Sequence, residues 1–193
     1  MKKIKVLVIG SGGHAKSCIE IIEQIKQYKI IGLIDNNPYK KIDNYKVLFH
    51  DNEFEKIKKI TKNLVIGVGD LKHSGLRKKI YLKYKKRGFN FPIIVAKNAV
   101  ISSTANIREG SIIFNNVIIN RDAKIGLNCL INNNCLIEHD TIVKNNCHIS
   151  TSVTVNGNSI IEENCFIGSG SVINNNLKVK KNSFIKMGSV LKN

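Results

Sequence analysis

Ile137-Glu138-His139-Asp140 is the sharpest chemical feature of the chain. An imidazole next to a carboxylate supplies a base together with a group that orients it and stabilises its protonated form. A histidine on a solvated edge has the same local sequence, so the reading turns on what the fold places beside the ring. Gly157 follows His139 by eighteen residues and His148 follows it by nine. If eighteen residues complete one coil of a stacked repeat, the neighbour directly above the imidazole has no side chain and a thioester can approach there. The Gly157 N–H is then available to a developing oxyanion, the transition-state feature that acyl transfer most needs stabilised. His148, on the adjoining stretch of the next coil, can donate to the acyl carbonyl or to the thiol region.

A repeat runs through the second half of the chain. From Ile101 to Leu191 every sixth residue is Ile, Val or Leu, with Ile137, Val143 and Ile149 among them. This unbroken period fits neither a helix, with a period near 3.6, nor a simple strand, and points to a β-helix. Two places before each aliphatic residue the side chain is small, from Ala99 and Ala105 to Ser183 and Ser189, and Leu177 is the one large exception. Cys129, Cys135, Cys147 and Cys165 fall in this column and read as small buried hydrophobes, neither ligands nor nucleophiles. No C-x-x-C pair occurs, and no metal site is expected.

Residues 1–95 read differently. Ile4 to Ile9 is a short apolar run that leads into Gly10-Ser11-Gly12-Gly13-His14-Ala15 and an amphipathic stretch from Lys16 to Gln27. This is strand, tight turn and helix. Gly10, Gly12 and Ala15 match G-x-G-x-x-[GA], in which glycines let the backbone approach a pyrophosphate at a helix N-terminus. A second apolar run, Ile30 to Ile34, ends in Asp35-Asn36, where a carboxylate can read a ribose or base. A third, Leu64 to Val68, ends at Gly69-Asp70 ahead of a basic helix from about Gly75 to Arg87. Three strand ends thus meet at one edge of an α/β, Rossmann-like half domain. Glycines that only close βα turns would look the same. The fingerprint also fits NAD, but the second half of a dinucleotide fold is missing, so a mononucleotide-linked sugar is the better fit.

The formal net charge of +17 invites a nucleic-acid reading. The lysines are scattered, however, and no aromatic residues interleave with them as a base-stacking platform requires. A lysine-rich background composition is the reading adopted, with no nucleic-acid partner; the surplus charge still attracts a small molecule carrying several phosphates. The run Ile4 to Ile9 is too short for a signal peptide or a membrane span. A soluble cytoplasmic protein without membrane insertion is expected.

The second half resembles the hexapeptide-repeat acyltransferases, whose repeat pairs an aliphatic residue with a small one two places before the next. In that family three hexads make one turn of a left-handed parallel β-helix, and members assemble as trimers about the helix axis. The resemblance therefore implies that residues 96–193 form such a helix, about sixteen hexads and a little over five coils at roughly 4.8 Å per coil, and that the chain is a homotrimer. The position after the aliphatic residue, often Gly in the family, is Gly here only at Gly126 and Gly168.

The whole chain resembles the bacterial sugar acetyltransferases with this repeat, which include UDP-4-amino-sugar N-acetyltransferases and sialic-acid O-acetyltransferases. The likeness rests on Gly10 to His14, on Asp35-Asn36, on Gly69, on the run containing His139, and on His148 followed by the repeats. It implies that Gly12, Gly13, His14, Asp35, Asn36 and Gly69 hold a uridine nucleotide and that Asn132 helps position substrate. It implies further that His139 is the proton acceptor, that Asp140 raises its proton affinity, and that His148, Gly157, Ser169 and Met187 contact acetyl-CoA. The family has Gly where Met187 stands, a Pro-Gly pair where Ser150-Thr151-Ser152 stands, and a Val-Pro-Ala-type tail after the last coil, where this sequence reads to Asn193. The implied reaction is N-acetylation of a nucleotide-linked amino sugar by direct attack on acetyl-CoA, without a metal. O-acetylation of a sialic or related acid would use the same base, whereas a noncatalytic trimeric nucleotide-binding scaffold would need no His139 and Asp140 pair.

Overall fold

Two kinds of hydrophobic periodicity give two compact units in the computed structural model, which describes residues 3–69 and 75–192. The first unit holds the parallel strands β1 (Ile4–Ile9), β2 (Tyr28–Ile34) and β5 (Leu64–Ile66), with helix α1 (Gly13–Gln24) between β1 and β2. Between β2 and β5 lie the short strands β3 (Lys41–Ile42) and β4 (Tyr45–Phe49) and helix α2 (Phe54–Ile60), and after β5 comes α3 (Leu76–Lys85). The sheet order is β3-β4-β2-β1-β5. Helix α1 buries Ala15, Cys18, Ile19, Ile21 and Ile22, a stripe at helical spacing. It begins three residues before the expected Lys16, because Gly12 serves as its N-cap.

In register, Ile9 lies beside Ile34 on one side and beside Ile66 on the other. The loops after β1, β2 and β5 therefore leave the sheet at the same edge, at the point where the strand order reverses about β1. Tight packing holds them there. A Cβ on Gly67 would lie 2.8 Å from both the Ala15 Cβ and Val8 Cγ1, so only glycine lets α1 settle on the end of β5.

The second unit is a three-sided prism of two-residue strands. Six strands beginning with Ile94–Val95 make its first face, six beginning with Val100–Ile101 its second, and five beginning with Asn106–Ile107 its third. Every pairing is parallel and offset by eighteen residues, as in Leu136 with Thr154 and Ile142 with Ile160. The aliphatic column from Ile113 to Val179 points inward and forms one continuous core. The small column has a second duty beyond fitting. Ser111, Thr141, Ser159 and Ser171 donate their hydroxyls, and Cys129, Cys135, Cys147 and Cys165 their thiols, to a carbonyl fifteen residues on, for example Ser159 Oγ to Asn174 O at 2.8 Å and Cys147 Sγ to Glu162 O at 3.0 Å. These cysteines are thus small weak donors rather than plain hydrophobes. Burial pushes the Cys135 thiol up to about 12.

The corners follow a rule not anticipated from the sequence. Three places after the inward aliphatic residue the backbone enters the left-handed region, at Asp122, Asn128, Asn134, Asp140, Asn146, Ser152, Asn158 and Asn164 with φ of 55–59°, and at Gly110, Gly170 and Gly188. From Asp122 onward each of these residues turns its N–H back to the preceding coil, as in Asp140 N–H to Arg121 O at 3.0 Å and Asn158 N–H to His139 O at 3.0 Å. Asn, Asp and Gly tolerate this conformation best, and stacked asparagines add amide ladders such as Asn128 to Asn146 at 3.0 Å and Asn158 to Asn176 at 2.8 Å. The abundance of asparagine is therefore corner chemistry. At Ser152, where the side chain gains no such bond, Ser152→Gly should leave chemical-denaturation stability equal or higher, whereas Ser152→Val should lower it by about 1–2 kcal/mol.

Candidate active site

His139 stands on the corner between the second and third faces, and the local geometry there follows from the corner rule. Asp140 takes the left-handed position, φ 59°, which swings its carboxylate beside the preceding side chain. The same pairing occurs one coil below, where Arg121 Nε lies 3.5 Å from Asp122. At His139 the contact is His139 Nδ1 to Asp140 Oδ2 at 2.8 Å. Glu138, to which the sequence assigns no role, accepts from Asn120 Nδ2 at 3.0 Å and from the His139 backbone N–H at 3.2 Å, so the histidine is fixed at its backbone as well as at its ring.

The hydrogen bond to Asp140 comes first in raising the His139 pKa; partial desolvation opposes it, and the charges of Asp140 and Glu138 add to the rise. With Nδ1–H donated to Asp140, the lone pair sits on Nε2. That nitrogen lies against Gly157: a Cβ there would be 2.7 Å from both Nε2 and Cε1. Residues eighteen apart thus stack as expected, but the space left by the missing side chain is filled by the imidazole itself and is not open to a thioester. The ring remains reachable from its outer side, with 58% of the side chain exposed. The Gly157 N–H has no hydrogen-bond acceptor among the described residues.

The other expected acetyl-CoA contacts lie elsewhere on the prism. Ser169 and Met187 stack on the corner between the first and second faces, where Ser169 Oγ meets Ser150 Oγ at 2.9 Å and Met187 is exposed. Asn132 sits on the same corner, its Oδ1 accepting from the Asn133 N–H at 2.9 Å. His148 does not adjoin His139. Nine residues are half a coil, so His148 lies on the first face, opposite the His139 corner. It is 5% exposed and packed edge-on against Phe166 with ring centroids 4.9 Å apart. Within one chain, His139, Asp140 and Gly157 come together, while His148, Asn132, Ser169 and Met187 do not join them.

At the sheet edge of the first unit, Gly12 and Gly13 are exposed, and no protein atom lies within 4 Å of where a Cβ would stand on either. A Cβ on Gly69 would sit 3.6 Å from the His14 ring, which places those two side by side. Asp35 accepts from Ser11 Oγ at 2.5 Å and from the Asn37 N–H at 3.0 Å, and Asn36 beside it is exposed. Burial pushes the Asp35 carboxyl up, but these two hydrogen bonds and nearby Lys40 outweigh it and hold the group below its usual value. Two contributors go beyond the sequence expectations. Ser11 has a visible signal, its place inside the glycine run. Arg77, in sequence one more charge of a basic helix, is 4% exposed and donates to Ile66 O at 2.6 Å and Val68 O at 3.1 Å, fixing the turn that presents Gly69.

Among the described residues no cluster of His, Cys, Asp and Glu could hold a metal, and no helix is long and apolar enough to cross a membrane. The dyad geometry has a direct spectroscopic consequence. His139 should titrate above the ordinary histidine value when followed by NMR, and below that position in Asp140→Ala. Gly157→Ala, whose methyl group must turn the ring away from Asp140, should move it the same way without unfolding the prism.

Residues 5–84 match the family model of the PglD N-terminal domain, and residues 95–193 match that of the GMPPB C-terminal domain. No curated protein sequence matches the chain. Among solved structures, a histidine-to-asparagine variant of perosamine N-acetyltransferase from Caulobacter crescentus, in complex with CoA and GDP-perosamine, is 24% identical, with 97% of this chain and 88% of that chain covered and a TM-score of 0.91. The acetyltransferase domain of PglB from Neisseria gonorrhoeae FA1090, in complex with acetyl coenzyme A, is 22% identical over 99% of this chain and 92% of that one, with a TM-score of 0.91. WeeI from Acinetobacter baumannii AYE is 23% identical over 98% and 92%, with a TM-score of 0.83. The expected fold, an α/β half domain followed by a left-handed parallel β-helix, is the fold these structures share with it. Just over half of the sequence matches one family model: the chain belongs to the family of the GMPPB C-terminal domain and, with a PglD N-terminal domain ahead of it, has the two-part build of the bacterial hexapeptide-repeat sugar acetyltransferases.

Proposed function

We propose that this protein is an acetyl-CoA-dependent N-acetyltransferase acting on the amino group of a nucleotide-linked sugar, a UDP-4-amino-dideoxy sugar in its most specific form. The observation that carries the reading is the His139 ring, held at Nδ1 by Asp140 and packed against Gly157, whose N–H lacks an acceptor among the described residues. A base with its lone pair on Nε2 and a backbone donor lie within one small corner, which is what direct aminolysis of a thioester requires. Two neighbours of the same fold are complexes, one with CoA and GDP-perosamine and the other with acetyl coenzyme A.

In the proposed reaction the sugar amine attacks the thioester carbonyl as Nε2 of His139 takes its proton, and Asp140 stabilises the imidazolium. The Gly157 N–H stabilises the oxyanion. When the tetrahedral species collapses, the C–S bond breaks and the sulfur leaves with the proton held by His139, giving free thiol and an amide. An acyl-enzyme has no place in this scheme, because Cys129, Cys135, Cys147 and Cys165 are buried in the prism core. The edge formed by Gly12, Gly13, His14, Asp35, Asn36 and Gly69, with Ser11, holds the nucleotide. Asn132, His148, Ser169 and Met187 are assigned to substrate and acetyl-CoA. Because they stand apart from His139 within one chain, the reading places the cosubstrate in a groove between copies of a homotrimer, and the reaction in the cytoplasm, where both cosubstrates are made.

Thiol release from acetyl-CoA, measured with a panel of UDP-, GDP- and CMP-linked amino sugars and with free sialic acid, tests the reading. Release is expected only with a nucleotide-linked amine, and turnover by His139→Ala should fall by about two to four orders of magnitude with little change in nucleotide-sugar affinity. Release with sialic acid alone would favour O-acetylation, and absence of release with every acceptor would leave a nucleotide-binding scaffold.

A further inference from the structure

The third face of the prism carries a concavity of about 390 Å³ that no step above uses. Its lining includes Ile142, the chain at Val143 and Gly126, and the cations Arg108, Lys124 and Lys144. The notch has a sequence cause. Arg108, Gly126 and Lys144 occupy equivalent positions on three successive coils, each following an inward aliphatic residue. A Cβ on Gly126 would stand 2.7 Å from the Asn145 backbone N. Glycine is therefore forced there by the close approach of the next coil, and the gap falls between two cations.

The charge inside the notch is not neutralised. Arg108 and Lys124 are exposed and form no ion pair among the described residues. Lys144 is paired with Glu162 at 2.9 Å, and Lys178 approaches the same carboxylate at 3.3 Å, leaving one net positive charge for the three. Glu163 is the one acid lining the notch among the described residues; its Oε1 accepts from Asn145 Nδ2 at 3.4 Å. Cations set in a concavity focus their field on whatever enters it, and the apolar Ile142 beside them suits an ester better than a bare ion. The strand Ile142–Val143 begins three residues after His139, so the notch lies within about 10 Å of chain from the dyad.

We infer that Arg108, Lys124 and Lys144 form a subsite for a phosphate ester of one nucleotide cosubstrate, held on the third face beside the His139 corner. The inference rests on the acetyl-transfer reading for its choice of ligand, since a nucleotide sugar and CoA both carry phosphates. Arg108 and Lys124 position the phosphate, and Lys144 lines the same notch with its charge shared by Glu162.

Calorimetry on the full chain with UDP, GDP and adenosine 3′,5′-bisphosphate as probes separates the two sources. In the double variant Arg108→Gln with Lys124→Gln, affinity for one class of probe should fall about tenfold to a hundredfold, the loss expected for charged hydrogen bonds, while the other class is unchanged. Loss with UDP or GDP assigns the subsite to the sugar nucleotide; loss with the bisphosphate assigns it to CoA. Lys180→Gln with Lys181→Gln, the same charge change outside the notch, should leave every affinity as it was. Unchanged affinity for all three probes in the notch variant, or an equal loss in the control variant, overturns the proposal. Binding is read without turnover, so the notch is tested even in a chain that transfers no acetyl group, and a chain that transfers it normally with the notch removed refutes the notch alone.

Discussion

Every coil of the prism turns three corners while its backbone N–H and carbonyl groups bond to the coils above and below. Buried peptide groups cannot go unpaired cheaply, and from Gly110 to Gly188 each corner meets that requirement with one residue at φ between 55° and 77°. That single requirement fixes the eighteen-residue stacking, and the stacking makes the site. Asp140 occupies the left-handed position because the corner needs one there, and its carboxylate meets the ring of His139 as a result. Gly157 accepts the ring because it stands one coil higher.

The inward aliphatic column and the small column are legible in the sequence because both report a steric limit, the space inside a narrow prism. The stacking of His139 and Gly157 needs more than the six-residue period: it follows from the three hexads per coil that the resemblance to the hexapeptide-repeat acyltransferases implies, and the strands pair in that eighteen-residue register. The asparagine column is not, because it answers to backbone dihedrals rather than to hydrophobicity, and Asn is also an ordinary surface residue. Nor is the donor role of the serines and cysteines, whose size explains them sufficiently. His148 departs from its expected place because nine residues look close in sequence, yet half of an eighteen-residue coil lies on the far side of a triangle.

The first unit shows a similar division. Its three strand ends and glycine turn can be placed from apolar runs alone, and the registers of Ile9 with Ile34 and Ile66 bring their loops to one edge. What escapes is the support for that edge. Gly67 is needed for the close packing of Ala15 and Val8, and Arg77 is needed to hold two carbonyls of the turn. Both serve contacts between residues distant in sequence, which no local pattern announces. Ser11 and Asp35 differ in this respect: Asp35 is flagged by its loop, and Ser11, to which the sequence assigns no role, bonds to it, which keeps the carboxylate ionised at the mouth of the candidate nucleotide site.

The central claim is that an imidazole tuned by Asp140 accepts the proton during acyl transfer. The most direct test is the pH dependence of kcat/KM for thiol release in the wild type and in Asp140→Ala. A base whose protonated form is stabilised loses activity as pH falls through its raised pKa, so the acidic limb should lie above about 6.5 in the wild type and move to lower pH in the variant. An acidic limb at the same pH in both proteins would contradict the account.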